Sequence, residues 1–390
     1  MKKILFITNN WLTDYGGRRV ASTKIINNIS RGKFDITVVD FEVGIKPISK
    51  FEVKKNIIFD NKVHLLTYFI KSHSRLFPYL INISKTYRFD IVVCSGSSYF
   101  DIVSILTIKI FNLFKKTKLV LFNHTHPLES IQFVSISIKN FLFHLGYYVL
   151  SYFVYGFFDR IVTPGSALKD FFVSNFRINP EKISVINYPI YKQNDLKNKN
   201  FEEIIPSSFH NGNKKIIVTA ARLVLIQKDF PTLFKALKEV NKKINCQLVI
   251  LGEGIGREKI IKLAEKIGVL NEITLLGFKK NPIAYLQKAD VFVLSTFFEG
   301  CPIVLVEAMI GKVPVVSSDC DFGPKEILEN GKSGILVPIN DHKTMAKAIL
   351  NLLENNQLRR KFINNGFKRA KFYSEERSFD LWDKLLSRLS

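Results

Sequence analysis

The chain has 390 residues, of which 47% are hydrophobic and 23% charged. That is the balance of a globular protein, so a disordered, collagen-like or polar low-complexity chain is excluded, and about 150 residues per domain predicts two domains. Lys and Arg number 57 against 34 Asp and Glu, a net charge of +23. Before residue 201 there are 28 basic and 13 acidic residues, so +15 of the excess sits in the first half. Such an excess favours anionic partners such as nucleic acid, a membrane surface or phosphorylated substrates. A residue usage rich in Lys, Ile, Asn and Phe would produce it with no partner at all.

In chain order, the opening Met1-Lys-Lys-Ile-Leu-Phe-Ile has too short an apolar run for a signal peptide and reads as a first buried strand. Further strands are expected at 36–39, 91–94, 119–122, 160–163 and 183–186. A second set is expected at 216–219, 247–251, 273–276, 291–294, 313–317 and 334–337. Continuous apolar runs mark strands buried on both faces, and their alternation with helical patterns implies parallel α/β sheets. Residues 140–158 carry no Asp, Glu, Lys or Arg, near the length of a membrane span. Their internal Asn140, His144, Gly146, Ser151 and Gly156 favour a buried or interfacial helix instead. Residues 191–213 are polar and read as a linker, and 358–389 read as helical.

Four cysteines, Cys94, Cys246, Cys301 and Cys320, form no C-x-x-C pair and no disulfide framework, which suits a reducing cytosol. In open α/β sheets ligands bind beyond the carboxyl ends of the strands, so the strand-to-helix loops should hold the chemistry. Gly16, Gly17 and Arg18 follow the first strand and precede a helix, a place where backbone amides can approach an anion; a plain tight turn is the alternative. Arg222 and Lys228 share one loop after the strand at 216–219, where a guanidinium fork and a compact ammonium could grip a phosphate. In Phe298-Glu299-Gly300-Cys301-Pro302-Ile303-Val304, Pro302 suits the first turn of a helix, with Glu299 just before it and Glu307 in its second turn. Asp319-Cys-Asp321 and His124-x-His126 with Glu129 spell short metal-like patterns, but neither supplies a convincing ligand set, and no metal is expected. Gly252-x-Gly254-x-Gly256 departs from the dinucleotide fingerprint by one position.

Taken in order, Ala221-Arg-Leu with Lys228, Leu251-Gly-Glu-Gly254, Leu276-Gly-Phe278, Glu299 with Glu307, Gly323-Pro-Lys-Glu326 and Asn330-Gly-x-x-Gly334 resemble the retaining glycosyltransferases of family 4. The resemblance is strong over 214–350 and looser in the first half, through Gly16-Gly17, His124 and Asn187-Tyr-Pro189. It implies the GT-B fold, two doubly wound Rossmann-like domains facing a central cleft. The implied organisation is an acceptor-binding domain at 1–197, a linker at 198–213, a nucleotide-sugar domain at 214–370 and a C-terminal helix at 371–390 packing back toward the first domain. By resemblance Arg222 and Lys228 neutralise the donor diphosphate, Glu299 contacts the donor sugar, and Glu307 holds the ribose hydroxyls. The amides around Gly300, Cys301, Pro302, Ile303 and Val304 reach sugar and phosphate, and Phe278 lies in the nucleobase loop. His124 sits near the anomeric region. The family usually has Gly at Ala221 and Tyr-Asn-Pro where Asn187-Tyr-Pro stands, which leaves the role of that loop open.

The expected activity is transfer of a hexose or N-acetylhexosamine from a nucleotide-sugar, a UDP-sugar by resemblance, to a glycan or lipid-linked glycan acceptor in surface polysaccharide or lipopolysaccharide synthesis. No cofactor is expected, the nucleotide-sugar being a co-substrate. Same-face displacement is preferred over double displacement. The basic first half, with Arg18, Arg19, Lys109, Lys115, Lys116 and Lys118, would receive a pyrophosphate-linked acceptor or dock on anionic lipid at the inner face of the cell membrane. The alternatives are a nucleotide-sugar epimerase or phosphorylase of the same fold, and a basic nucleic-acid-binding protein, which would leave Glu299 and Glu307 unexplained.

Overall fold

The computed structural model describes residues 1–9, 17–30, 34–43, 63–70, 80–83, 85, 87–95, 104, 105, 108, 116–124, 146, 148–193, 206, 209 and 212–389. They fall into two compact units, Met1–Pro189 with Glu376–Ser390, and Ile190–Glu375.

The first unit is built on a wholly parallel sheet. Its strands are β1 (Lys2–Asn9), β2 (Phe34–Val43), β3 (Val63–Ile70), β4 (Ile91–Ser95), β5 (Lys118–Phe122), β6 (Arg160–Thr163) and β7 (Ile183–Val185), in spatial order 3-2-1-4-5-6-7. Six strands are legible as short apolar runs, and β3 is the seventh, which the sequence reading omits. Its register (Ile36 beside Val63, Val39 beside Leu66) makes it an edge strand on β2. The chain leaves β1 toward β2 and β3, then returns to the opposite side with β4. That reversal leaves a crevice at the carboxyl ends of β1 and β4, where an open α/β sheet takes its ligands. All five residues of β4 are buried, as a strand covered on both faces requires.

Helix α1 (Gly17–Ser30) begins at Gly17, directly after the β1 loop. Gly16 lies outside the described residues, and so does the Arg18 side chain. Arg19 is buried, which removes it from the set of surface cations. Lys118 pairs with Asp159 at 3.7 Å, Lys116 is exposed, and Lys109 and Lys115 lie outside the described residues.

Of the uncharged stretch at 140–158, residues 140–145 and 147 lie outside the described set. Residues 148–154 are helical and run into a 3-10 turn at Tyr155–Phe157. Ser151, Val154, Tyr155 and Phe158 point into the core, while Val149, Leu150, Phe153 and Phe157 are exposed on the outer side. Among the described residues no helix is long and apolar enough to cross a membrane.

The second unit repeats the plan with β8 (Lys215–Ala220), β9 (Cys246–Leu251), β10 (Ile273–Gly277), β11 (Val291–Leu294), β12 (Val315–Ser318) and β13 (Ile335–Val337), all parallel, in order 10-9-8-11-12-13. Its reversal lies between β8 and β11. Within the polar stretch at 191–213, Tyr191 and Phe209 are buried in this unit's core, and Phe209 packs edge-on against Tyr285. Residues 194–205, 207, 208, 210 and 211 of that stretch lie outside the described residues.

The last helix (Glu375–Arg388) belongs almost entirely to the first unit. Trp382, fully buried, meets Phe122 of β5 edge-on at 4.9 Å between ring centroids, and Lys2 Nζ donates to the carbonyls of Leu386, Ser387 and Leu389. A buried Trp side chain cut to Ala typically costs about 3–5 kcal/mol through lost burial and the cavity left behind. Trp382→Ala is therefore expected to lower the urea midpoint of the first unit by an amount in that range. The Trp382 indole N–H is buried with no acceptor, so Trp382→Phe, which keeps a ring against Phe122 and removes that donor, is expected to cost far less.

Candidate active site

The loop after β8 carries Arg222 and Lys228, and glycines from the next strand's loop hold its first half. Leu223 N donates to Glu253 O at 3.0 Å, and Gly256 N donates to Leu223 O at 2.9 Å. A Cβ at Gly252 would stand 1.9 Å from the Ala221 carbonyl oxygen, and one at Gly256 would stand 2.5 Å from that of Leu223. The Gly252-x-Gly254-x-Gly256 spacing is thus explained by backbone lying directly on backbone, with no nucleotide needed to account for it. The loop ends at Asp229, whose carboxylate accepts from Thr232 N at 3.0 Å and caps helix α3 (Phe230–Asn241; α2 is Ser166–Phe176).

Its second half is sewn to the loop after β11. Asp229 N donates to Ser295 O at 3.1 Å, and Ser295 Oγ donates to Asp229 O at 2.8 Å. Phe297 N and Thr296 Oγ1 both donate to Gln227 O, at 2.9 and 3.0 Å. Because β8 and β11 are neighbours at the reversal of the sheet, their loops emerge side by side and can pair in this way. The seam brings Lys228 Nζ onto Glu299 Oε1 as a buried ion pair, with each residue less than a tenth exposed. Either charge alone at this depth would be costly; together they neutralise each other. Arg222 Nη2 donates to Gln227 Oε1 at 3.2 Å, and Gln227 Nε2 donates to Phe298 O at 3.3 Å.

Glu299 leads into a helix (Ile303–Ile310), preceded in chain order by α4 (Arg257–Ile267) and α5 (Pro282–Leu286), and hence α6. Pro302 is the cap residue just outside this helix, one position before the first turn expected for it. The first amides of α6 have no intrahelical acceptor and lie at the positive end of the helix dipole. Ile303, Val304 and Gly300 are half-buried, and so is Glu307 in the second turn. The cap is held by the loop after β12: Gly323 has φ +91°, and a Cβ there would stand 2.3 Å from Pro302 Cδ. Phe278, one residue past β10, is exposed.

Cys320 lies close enough to Glu299 and Lys228 to feel both. Burial first, then Glu299, pushes its thiol up to about 12, against a smaller opposing effect of Lys228. Burial, with Glu326 and Glu299 behind it, pushes the Cys301 thiol up as well. Burial also raises Cys246 to about 12. Asp319 of the D-x-D sequence pairs with Lys325 at 3.5 Å.

In the first unit, His124 lies two residues past β5 and is 4% exposed. Its Nε2 is 2.8 Å from Ser95 Oγ at the end of β4, and its Nδ1 is 2.7 Å from the Tyr188 hydroxyl. The ring packs against Phe122 at 4.1 Å. Both imidazole nitrogens are therefore engaged within this unit. Tyr188, in the loop whose role the sequence left open, is one of the two groups that orient the ring. His126 and Glu129 lie outside the described residues.

The structure thus brings Arg222, Lys228, Glu299, Gly300, Cys301, Pro302, Ile303 and Val304 to the carboxyl edge of one sheet. It sets His124 in a separate cluster on the other sheet, and Gly17 at the start of α1. Sequence reading misses Gln227, Ser295, Thr296, Ser95 and Tyr188. Gln227 adjoins Lys228 and Ser295-Thr296 follow β11 directly, but hydrogen bonding between distant loops has no sequence signature.

Residues 200–369 match the family described as Glycosyl transferases group 1, and residues 23–191 match Glycosyltransferase Family 4. The chain belongs to this glycosyltransferase family and has its GT-B fold. It is 28% identical over 263 residues, 67% of each chain, to the Campylobacter jejuni protein named N-acetylgalactosamine-N,N'-diacetylbacillosaminyl-diphospho-undecaprenol 4-alpha-N-acetylgalactosaminyltransferase. It is 24% identical over 389 residues, 99% of this chain and all of the other, to the amylovoran biosynthesis glycosyltransferase AmsD of Erwinia amylovora. A crystal structure of Anabaena HepE in complex with UDP shares the fold, with a TM-score of 0.75 at 18% identity, covering 99% of this chain and 100% of that one.

Two outcomes follow from this geometry. Gly323→Ala forces a left-handed φ on a residue with a Cβ and drives that Cβ into a rigid proline ring. It is expected to cost roughly 1–3 kcal/mol in urea unfolding and to reduce turnover by shifting the α6 cap. The raised thiols stay protonated at pH 8, so the native protein is expected to react with Ellman's reagent at Cys246, Cys301 and Cys320 far more slowly than the same chain in guanidinium.

Proposed function

We propose that the protein is a retaining glycosyltransferase that moves a hexose or N-acetylhexosamine from a UDP-sugar to a glycan or lipid-linked glycan acceptor, in the synthesis of a surface polysaccharide or lipopolysaccharide. The observation that carries this reading is the seam between the Arg222–Lys228 loop and the Glu299 loop, set at the N-terminus of the helix that bears Glu307. Two cations, a run of unpaired amides and two carboxylates then lie on one sheet edge. That is the complement of a nucleoside diphosphate joined to a polyhydroxylated sugar.

The chemistry follows from charge. Breaking the sugar–phosphate bond leaves negative charge on the diphosphate and an oxocarbenium-like sugar. Arg222, Lys228 and the α6 N-terminus stabilise the departing charge, so the step needs neither a metal nor a cofactor. The diphosphate draws Lys228 from Glu299, and the released carboxylate accepts from sugar hydroxyls. Glu307 holds the ribose hydroxyls, Phe278 borders the base, and Gly300 and Cys301 to Val304 line sugar and phosphate. Attack by the acceptor on the face the diphosphate leaves gives retention. His124, oriented by Ser95 and Tyr188, supports the sugar end from the first domain, and Gly16, Gly17 and Arg18 border the acceptor.

The UDP in the HepE crystal and the diphospho-undecaprenol and amylovoran in the relatives' names support the donor and acceptor classes. A lipid-linked acceptor would bring the basic first half to an anionic bilayer, where each exposed cation contributes about 1 kcal/mol.

Incubation with a panel of nucleotide-sugars is expected to release UDP from at least one UDP-sugar, with the anomeric configuration kept in the product, and chelation is expected to leave the rate unchanged. Lys228→Ala and Glu307→Ala are expected to lower turnover on the order of 10²-fold or more while circular dichroism stays native. Release of nucleotide from no donor would sink the transferase reading, and wild-type rates in both variants would overturn the site.

A further inference from the structure

Gln227 is the one side chain that joins the phosphate-binding and sugar-binding halves of this site. Its carboxamide is used at both ends, Oε1 accepting from Arg222 and Nε2 donating to the carbonyl of Phe298, one residue before Glu299. Its backbone is held as well: N–H to Val224 O at 3.1 Å, and the carbonyl accepting from Phe297 N and Thr296 Oγ1. It is nine-tenths buried, so water does not readily replace these partners.

The result is a closed ring. Arg222 bonds to Gln227, Gln227 bonds to the Phe298 carbonyl, Glu299 follows in the chain and pairs with Lys228, and Lys228 is covalently next to Gln227. A guanidinium on a flexible stem would otherwise sample several rotamers in the unliganded site. One amide oxygen accepting a single N–H leaves its remaining donors free for an anion. A neutral amide also leaves the full positive charge of Arg222 available, which a carboxylate in its place would cancel.

We propose that Gln227 is a positioning residue. It holds Arg222 in register with the Glu299 loop, so that the contacts to the donor diphosphate and to the donor sugar form as a unit. The proposal rests on the reading that Arg222 takes the diphosphate, and the experiment separates the two.

Wild type, Arg222→Met, Gln227→Met and the double variant are compared by calorimetric binding of UDP, with inorganic pyrophosphate as the base-independent probe, and by steady-state turnover. Methionine matches the length of glutamine and cannot make either hydrogen bond. Gln227→Met is expected to raise the UDP Kd and the donor KM about tenfold with little change in Tm. The double variant is expected to bind no more weakly than Arg222→Met, because Gln227 acts through Arg222. Gln227→Glu keeps the acceptor for Arg222, loses the donor to Phe298 and adds a negative charge. It is expected to weaken UDP more than Gln227→Met does, and this excess is one that a purely structural role would not produce.

Wild-type Kd and KM in Gln227→Met, beside a loss in Arg222→Met, would overturn the positioning role and leave the donor reading standing. Additive losses in the double variant would overturn it too. Wild-type binding in Arg222→Met would overturn the donor reading itself.

Discussion

The candidate site depends on one constraint: two loops that leave neighbouring parallel strands must hold each other. The loops after β8 and β11 emerge together because the sheet reverses its winding between these strands. Backbone and hydroxyl hydrogen bonds involving Gln227, Asp229, Ser295, Thr296 and Phe297 turn that proximity into a fixed geometry. Lys228 and Glu299 meet only because of it, and their mutual neutralisation lets both be buried in the unliganded molecule. A cation stored in this way is placed before any ligand arrives, so little reorganisation is left for the moment of reaction.

The glycines act by the same logic at other contacts. Gly252 and Gly256 allow the loop after β9 to press on the backbone at Ala221 and Leu223, which supports Arg222 from beneath. Gly323 allows the loop after β12 to touch Pro302, which sets where α6 begins. Side chains do the chemistry, but atoms that these positions lack set the spacing of the loops that carry them. In the first unit, hydroxyls from the ends of β4 and of the chain past β7 hold the imbalance-prone imidazole of His124 from both sides.

Much of the fold was legible because buried parallel strands must be nearly continuous apolar runs, and twelve of them can be read along the chain. β3 was not, since Val63–Ile70 follows a long stretch without strand or helix signals and is an edge strand, where burial demands less of the sequence. Tyr191 and Phe209 were hidden inside a polar stretch, because two aromatic side chains do not make a periodic pattern. Arg19 and Lys118 read as surface cations, yet one is buried and the other faces Asp159, since partners far along the chain decide the fate of a charge.

Of the site, Arg222, Lys228, Glu299 and Glu307 were readable from residue type and spacing, because a short loop or one helix confines them locally. Gln227, Ser95 and Tyr188 were not, because their work is hydrogen bonding to residues 29 to 71 positions away. By itself, the sequence determined two α/β sheets, their strand-to-helix loops and the family, through hydrophobic period and local motif. Only the tertiary structure decided which loops touch, which charges neutralise each other and which nitrogens of His124 are engaged. Those depend on the order of strands across a sheet, and that order is a property of packing rather than of neighbours in the chain.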